Sequence, residues 1–283
     1  MTNPGCAGRV PRRRPPTRGE AGPFLAVKLD APSTSSVALG MISLAALAVA
    51  LFVPPVAQPT GYHAFADSRP WLGVPNFLDV ASNAGFAAAG VAGLVVTFTA
   101  HAAFKTPMER LPYAAFFAAL VLTALGSAWY HLAPDNERLF WDRLPMTVAF
   151  MSLVCAQLAD RVNARAGALA LLPLMLAGAA TVVYWRATER AGAGNLVPYA
   201  ALQLLAVASL ALMVVVRSRY SHGGAIAAVI AAYLAAKLGE HYDRAILDAT
   251  HVVSGHTLKH AIAALGGFIV AWMVACRQPR PGA

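Results

Sequence analysis

Eight apolar runs punctuate the chain, separated by short polar connections. They lie at roughly Ser36–Ala57, Phe77–Ala100, Leu111–His131, Leu144–Ala159, Gly167–Trp185, Leu196–Val216, Gly224–Gly239 and Gly255–Ala275. A helix needs about 20 apolar residues to cross the hydrocarbon core, and each run comes near that length. The pattern predicts an all-α fold, a polytopic transmembrane helical bundle. Residues 58–276 would form a seven-helix core, preceded by one extra N-terminal transmembrane helix at 36–57. No connection is long enough for a separate soluble domain, and no internal repeat stands out. The first run could also be a cleaved signal peptide. It is long for that, and its exit at Pro54-Pro55 lacks a small-x-small cleavage site, so it is read as retained. Residues 277–283 form a C-terminal tail.

Residues 1–35 break the pattern. The stretch GRVPRRRPPTRGEAGP is rich in Pro, Arg and Gly, and such a segment cannot bury a core. It is read as a disordered basic tail, or as residues upstream of the true start, rather than as a binder of lipid headgroups or nucleic acid.

Composition agrees with a membrane protein. Of 283 residues, 58% are hydrophobic and 12% charged, against about a quarter charged in soluble domains. The formal net charge is +9. Its meaning lies in its distribution, because Lys and Arg gather on the cytoplasmic side of spans. With the N-terminus inside, fourteen basic residues fall on inner segments and six on outer loops, Arg69, Arg138, Arg143, Arg186, Arg190 and Arg244. The margin without the tail is eight to six. Cys6, Cys155 and Cys276 are far apart and fit neither a disulfide framework nor a thiolate metal site. Cys155 reads as a small apolar residue within a span.

This topology sorts the polar residues. His131 ends the third span on the outer side, and Asp142 stands just outside the fourth span on that same side. His256 and His260 lie in the first turns of the last span, again outer. Residues four apart share a helix face, so Ser127 stacks one turn below His131, and His260 one turn below His256. Three imidazoles around an open position are a common design for catalytic zinc. With no thiol available, Zn2+ is the ion such a set favours. Two ligands one turn apart on one helix cannot take opposite faces of a haem. Asp142 could serve as general base and Ser127 as oxyanion donor. Each has a plain alternative. Asp142 precedes Leu144-Pro145 and could simply cap a helix, and Ser127 could bond back to its own helix. What favours chemistry is their shared depth on one side of a membrane, where ionisable groups are costly.

The remaining polar residues receive plainer readings. Trp71, Trp129, Tyr130 and Trp141 look like an interfacial aromatic belt. His63, His101 and His222 look solvated. Glu240, His241, Asp243 and His251 could orient the imidazoles or simply face water. Lys259 is expected to point away from the ligands and to pair with Asp243 or Asp248. The run AGFAAAGVAG leaves room for a cavity between helices.

The motif set resembles the CREST superfamily, which includes alkaline ceramidases, adiponectin-receptor-like proteins and lipid-remodelling proteins. The resemblance rests on S-x-x-x-H ending one span, Asp opening the next, and H-x-x-x-H in the last. The stretches WLGVPNFLDVASNAGF, GSAWYHLAPDNERLFWDRLPMTVAF and SGHTLKHAIAALGG look most like the bacterial alkaline-ceramidase-like branch, over about Tyr62 to Ala275. It implies seven helices around a zinc ion held by His131, His256 and His260, with Ser127 and Asp142 assisting water and oxyanion. The implied reaction is hydrolysis of ceramide, or a related N-acyl lipid, to a fatty acid and an amine. The implied location is a bacterial inner membrane, with the site near its outer face. The sequence departs from the pattern in its extra N-terminal span. It also has a weaker acidic cluster around Asp67, Trp71, Asn76 and Asp79, so calcium is not expected, and no further cofactor is assigned. The rival reading is a non-enzymatic receptor or sensor with structural zinc. The partners expected are the membrane and a lipid amide, with no nucleic acid; oligomeric state is left open.

Overall fold

The computed structural model describes residues 34–100 and 103–281. The basic tail at 1–33 and His101 lie outside the described residues. The protein is helical throughout this region, with α1 (Thr34–Phe52), α2 (Phe77–Ala81), α3 (Ala84–Thr99), α4 (Arg110–Leu132), α5 (Asn136–Arg161), α6 (Ala164–Arg190), α7 (Val197–Val215), α8 (Ala225–His241), α9 (Asp243–Thr250) and α10 (Gly255–Cys276). All eight apolar runs fold as helices. Six segments are long and apolar enough to cross a membrane, namely Phe77–Thr99, Pro107–Leu132, Asn136–Arg161, Ala164–Arg190, Val197–Val215 and Gly255–Cys276. The chain is therefore a polytopic membrane protein.

The count of long spans is six rather than the expected eight. The first run is an apolar helix that falls short of that length. Helix α8 has 17 residues, and its last turns carry Lys237 and Glu240, which face a cavity instead of lipid. Apolar side chains such as Leu44, Leu125, Leu169, Leu204 and Val215 are exposed, as a lipid-facing surface requires.

Helix α4 packs against α3 and α5, α5 against α6, and α10 against α3 and α8. The run AGFAAAGVAG serves close packing of α3 on α4 along most of its length. At Gly93 the two helices are in close contact, because a Cβ there would lie 2.0 Å from the Phe117 ring, while Phe86 at the start of the run lines the main cavity. Small residues let the two backbones approach, as helices in lipid often do.

Helix α5 starts earlier than the apolar pattern suggested. Its N-cap is Asp135, whose carboxylate accepts the Arg138 N–H at 2.6 Å. Asp142 thus sits two turns inside the helix, and the capping alternative for it falls. Cys155 is fully buried, as its apolar reading required.

At the end of the bundle opposite His131, buried charges tie the helices together. The Arg277 guanidinium pairs with Asp160 at 2.7 Å. The Tyr113 hydroxyl donates to the same carboxylate at 2.6 Å, and Arg277 stacks on Tyr220 at 4.2 Å. Nearby, Arg219 pairs with Glu109 at 2.7 Å.

Candidate metal centre

His131 occupies the last turn of α4, and His256 and His260 the first two turns of α10. Ser254 starts α10 by accepting the Thr257 N–H at 3.0 Å. All three imidazoles are buried, and one ligand nitrogen from each lies within 4.8 Å of the other two. They form a buried cluster that could bind a metal ion.

The distances test that fit. The Nε2 atoms of His131 and His256 are 3.3 Å apart. Two nitrogens each about 2.0–2.1 Å from zinc, at the tetrahedral angle, sit about 3.3–3.4 Å apart. The other ring nitrogen of His131, Nδ1, is buried without a protein partner. The ring Nδ1 of His260 lies 2.8 Å from Ser82 Oγ. Ser82 in turn donates its proton to the Asp79 carbonyl at 3.2 Å, so the hydroxyl accepts from His260 Nδ1–H. That fixes the tautomer and leaves the His260 Nε2 lone pair for the ion. The residues therefore fit a cation held by three neutral imidazoles.

The shell around the triad is largely apolar. Phe65 lies over His131 and His256 at ring separations of 4.6 and 4.5 Å, and Phe86 meets His260 at 6.0 Å. Helix α2 and the loop before it are joined to the start of α10 by carboxylates. Asp79 accepts from Thr257 Oγ1 at 2.6 Å and Ser254 Oγ at 3.4 Å. Asp243 accepts the backbone N–H of His256 at 2.8 Å and of Ala66 at 2.9 Å. Asp67 pairs with Arg69 at 2.7 Å, and the guanidinium holds its carboxyl below the usual range. The Asn76 amide donates to the His131 carbonyl at 2.7 Å.

Ser127 and Asp142 are brought together on adjacent helices, with the Ser127 hydroxyl facing the Asp142 carboxylate. Gly126 makes this approach feasible, since a Cβ there would lie 2.0 Å from the Trp141 carbonyl oxygen. Both residues line a cavity of about 340 Å³ together with His260. His131 and His256 lie behind that wall. Below the level of Ser127 the cavity is largely apolar, with Thr123, Gln203 and Tyr233 among its lining, and reaches Phe116 on α4 and Leu153 on α5. The drop from Ser127 to Phe116 is about 16 Å of helix.

Several plainer expectations change. Lys259 does not turn away toward Asp243 or Asp248. It lines the same cavity and pairs with Glu240 at 2.9 Å, which Lys237 also engages. Tyr130 leaves the interfacial belt: it is 1% exposed, and its hydroxyl lies 2.9 Å from His63 Nδ1. His63 also meets Asn136 Oδ1 at 3.0 Å, so it is not merely solvated. His222 stacks against Trp272 at 5.2 Å. Trp71, Trp129 and Trp141 are exposed, consistent with a belt. Of the outer polar residues expected to orient the rings, Asp243 holds backbone and Glu240 binds lysines. His241 stacks on Tyr242 at 4.8 Å, and the His251 carbonyl accepts from Arg69 at 3.2 Å. The ring partner is Ser82, which sequence reasoning missed. Its signal was slight, a Ser three residues after Asp79 at the head of an apolar run.

Fold and site together define a polytopic helical membrane protein with a buried three-histidine centre competent to hold a metal ion. No family model matches the chain, and no curated protein matches it either.

Proposed function

We propose that the chain is a membrane-embedded, zinc-dependent hydrolase of lipid amides, acting on ceramide or a related N-acyl lipid. The observation that carries this reading is the cavity wall. His260, Asp142 and Ser127 share it at one level, above an apolar shaft sized for an acyl chain. The motif resemblance to the CREST superfamily supports the same assignment. So does a cluster of three ligands, His131, His256 and His260, found among the described residues, because a structural zinc site generally uses four protein ligands.

Zinc, when held by His131, His256 and His260, supplies the Lewis acidity that makes water a nucleophile at neutral pH. The chain's own residues do the rest. Asp142 accepts a proton from the attacking water as its oxygen bonds the amide carbon. Asp142 then returns that proton to the leaving nitrogen as the C–N bond breaks. Ser127 has a single hydroxyl proton. It is given to Asp142 at rest, and becomes free to face the amide oxygen once the carboxylate is protonated. The apolar shaft holds the acyl chain and excludes bulk water. The charge bias of the connections supports a cytoplasmic N-terminus with the site near the outer face, and the motif resemblance supports an inner-membrane setting.

The test is hydrolysis of a fluorescent N-acyl lipid by purified protein, with metal analysis of the same sample. Wild type should carry one zinc per chain and release fatty acid. His260→Ala should lose metal and turnover, and Asp142→Asn should lose turnover alone. Zinc-free wild type after purification in zinc-containing buffer would remove the reading. So would an ion ligated by protein on all sides, which favours the receptor alternative.

A further inference from the structure

Arg143 is the residue of this cavity that the proposed hydrolysis leaves unused. It follows Asp142 in α5, is 5% exposed, and lines the cavity wall. Aromatic faces surround its guanidinium, with Trp185 at 4.4 Å, Tyr199 at 4.9 Å and Tyr62 at 5.3 Å. Its one hydrogen bond runs from Nη2 to Gln58 Oε1 at 2.7 Å. No carboxylate among the described residues forms an ion pair with it. Asp142 is its neighbour in charge but makes no ion pair with it and faces Ser127. Glu189 accepts the Gln58 N–H at 2.8 Å and the Trp185 indole at 3.2 Å, both on Oε1, and makes no ion pair with Arg143.

Two donors are left over. Arg143 Nη1 and Gln58 Nε2 are both buried and without a partner. The amide assignment is forced, because a guanidinium has no acceptor, so the Gln58 oxygen must face it and the NH2 must face away. A buried cation and an adjacent amide, both with unspent N–H groups, are costly unless an acceptor joins them. An oxyanion in the cavity that Arg143 lines is an acceptor of the kind a planar guanidinium binds well.

We propose that Arg143, with the Gln58 amide beside it, binds a carboxylate or phosphate carried on the amine half of the lipid amide. The geometry sets which half. Arg143 stands at the level of Asp142, since consecutive Cα atoms are about 3.8 Å apart. The apolar shaft, which takes the acyl chain, lies below that level. The substrate class is thereby narrowed to acidic N-acyl lipids, such as N-acyl amino acids or phosphorylated N-acyl amines. The inference rests on the lipid-amide reading, but its test does not depend on turnover.

Binding is measured with the full chain in uncharged phosphatidylcholine nanodiscs, with chelator present so that nothing is hydrolysed. Three dye-labelled lipids share one acyl chain: an N-acylethanolamine, an N-acylglycine and an N-acylphosphoethanolamine. Wild type should bind at least one acidic lipid about tenfold or more tightly than the neutral one, the size of one charge-assisted hydrogen bond. Comparison of the two acidic lipids tells carboxylate from phosphate. Arg143→Gln should bind all three alike, with affinity for the neutral lipid unchanged, and Arg143→Lys should lose most of the preference. Equal binding by wild type, or an undiminished preference in Arg143→Gln, overturns the proposal. Should Arg143→Gln fail to fold, Gln58→Leu decides, with a weakened preference expected and an unchanged one fatal. Hydrolysis is scored separately. Selective binding without cleavage of any lipid amide keeps the anion site and removes the hydrolase. Cleavage without acidic preference does the reverse.

Discussion

Replacing Ser82 by Ala tests the metal centre without touching a ligand. The hydroxyl sits 2.8 Å from His260 Nδ1 and passes its own proton to the Asp79 carbonyl at 3.2 Å. Ala removes one oxygen and leaves the Nδ1–H of a 3%-exposed imidazole only the Asp79 carbonyl as acceptor, so complete loss of pairing is the upper bound. An unpaired buried donor costs about 1–3 kcal/mol, which at about 1.4 kcal/mol per decade is roughly 5- to 150-fold in an equilibrium constant. Loss of an outer partner to a metal-bound histidine generally costs about 10- to 100-fold in affinity. The two figures overlap, so Ser82→Ala should bind zinc about 10- to 100-fold more weakly than wild type. The assay is competition against a chelator of known affinity at fixed pH, in detergent. Ser82→Thr, which restores the hydroxyl, should recover most of the loss. Thermal stability without metal reports any general damage. An affinity within twofold of wild type would refute the assignment of Ser82 as the group that orients His260, and equal losses in Ala and Thr would count against it as well.

Other substitutions separate packing from chemistry. Gly126→Ala places a Cβ 2.0 Å from the Trp141 carbonyl, so α4 and α5 must part where Ser127 meets Asp142. Overpacking should cost about 1–3 kcal/mol, and a shift of about 1 Å should lower turnover about 100-fold; melting and rate measurements check this, and wild-type values in both would contradict it. Ala263→Trp fills the cavity next to His260 and should abolish hydrolysis of long-chain amides while zinc content stays at wild type; unchanged chain-length preference would show that the acyl chain lies elsewhere. Asp160→Asn leaves the buried Arg277 uncompensated and should destabilise the protein by about 3–5 kcal/mol, seen as a large drop in melting temperature in detergent, whereas an unchanged transition would mean that the pair contributes little.

Hydropathy alone carried the all-α bundle and the positions of its helices, because a chain in lipid must satisfy its backbone within each segment. The same pattern, joined to the charge bias, put His131, His256 and His260 at one depth, since helix periodicity fixes faces once the ends are known. Gly126, Ser82 and Phe65 were not legible in that way. Each acts through an element distant in sequence, and apolar periodicity records how a helix meets lipid or core, not which helix it meets. Lys259 makes the point most plainly. One-dimensional spacing turned it away from the ligands, yet a four-carbon stem on a short helix-to-helix gap brings it to Glu240 across the cavity. The sequence by itself therefore determined the class of fold and the three imidazoles. Only the packing of α3, α4, α5, α8 and α10 decided the 3.3 Å between the His131 and His256 nitrogens, the donors at Arg143, and the shaft beneath them, because close contacts between helices depend on side-chain shape at each crossing.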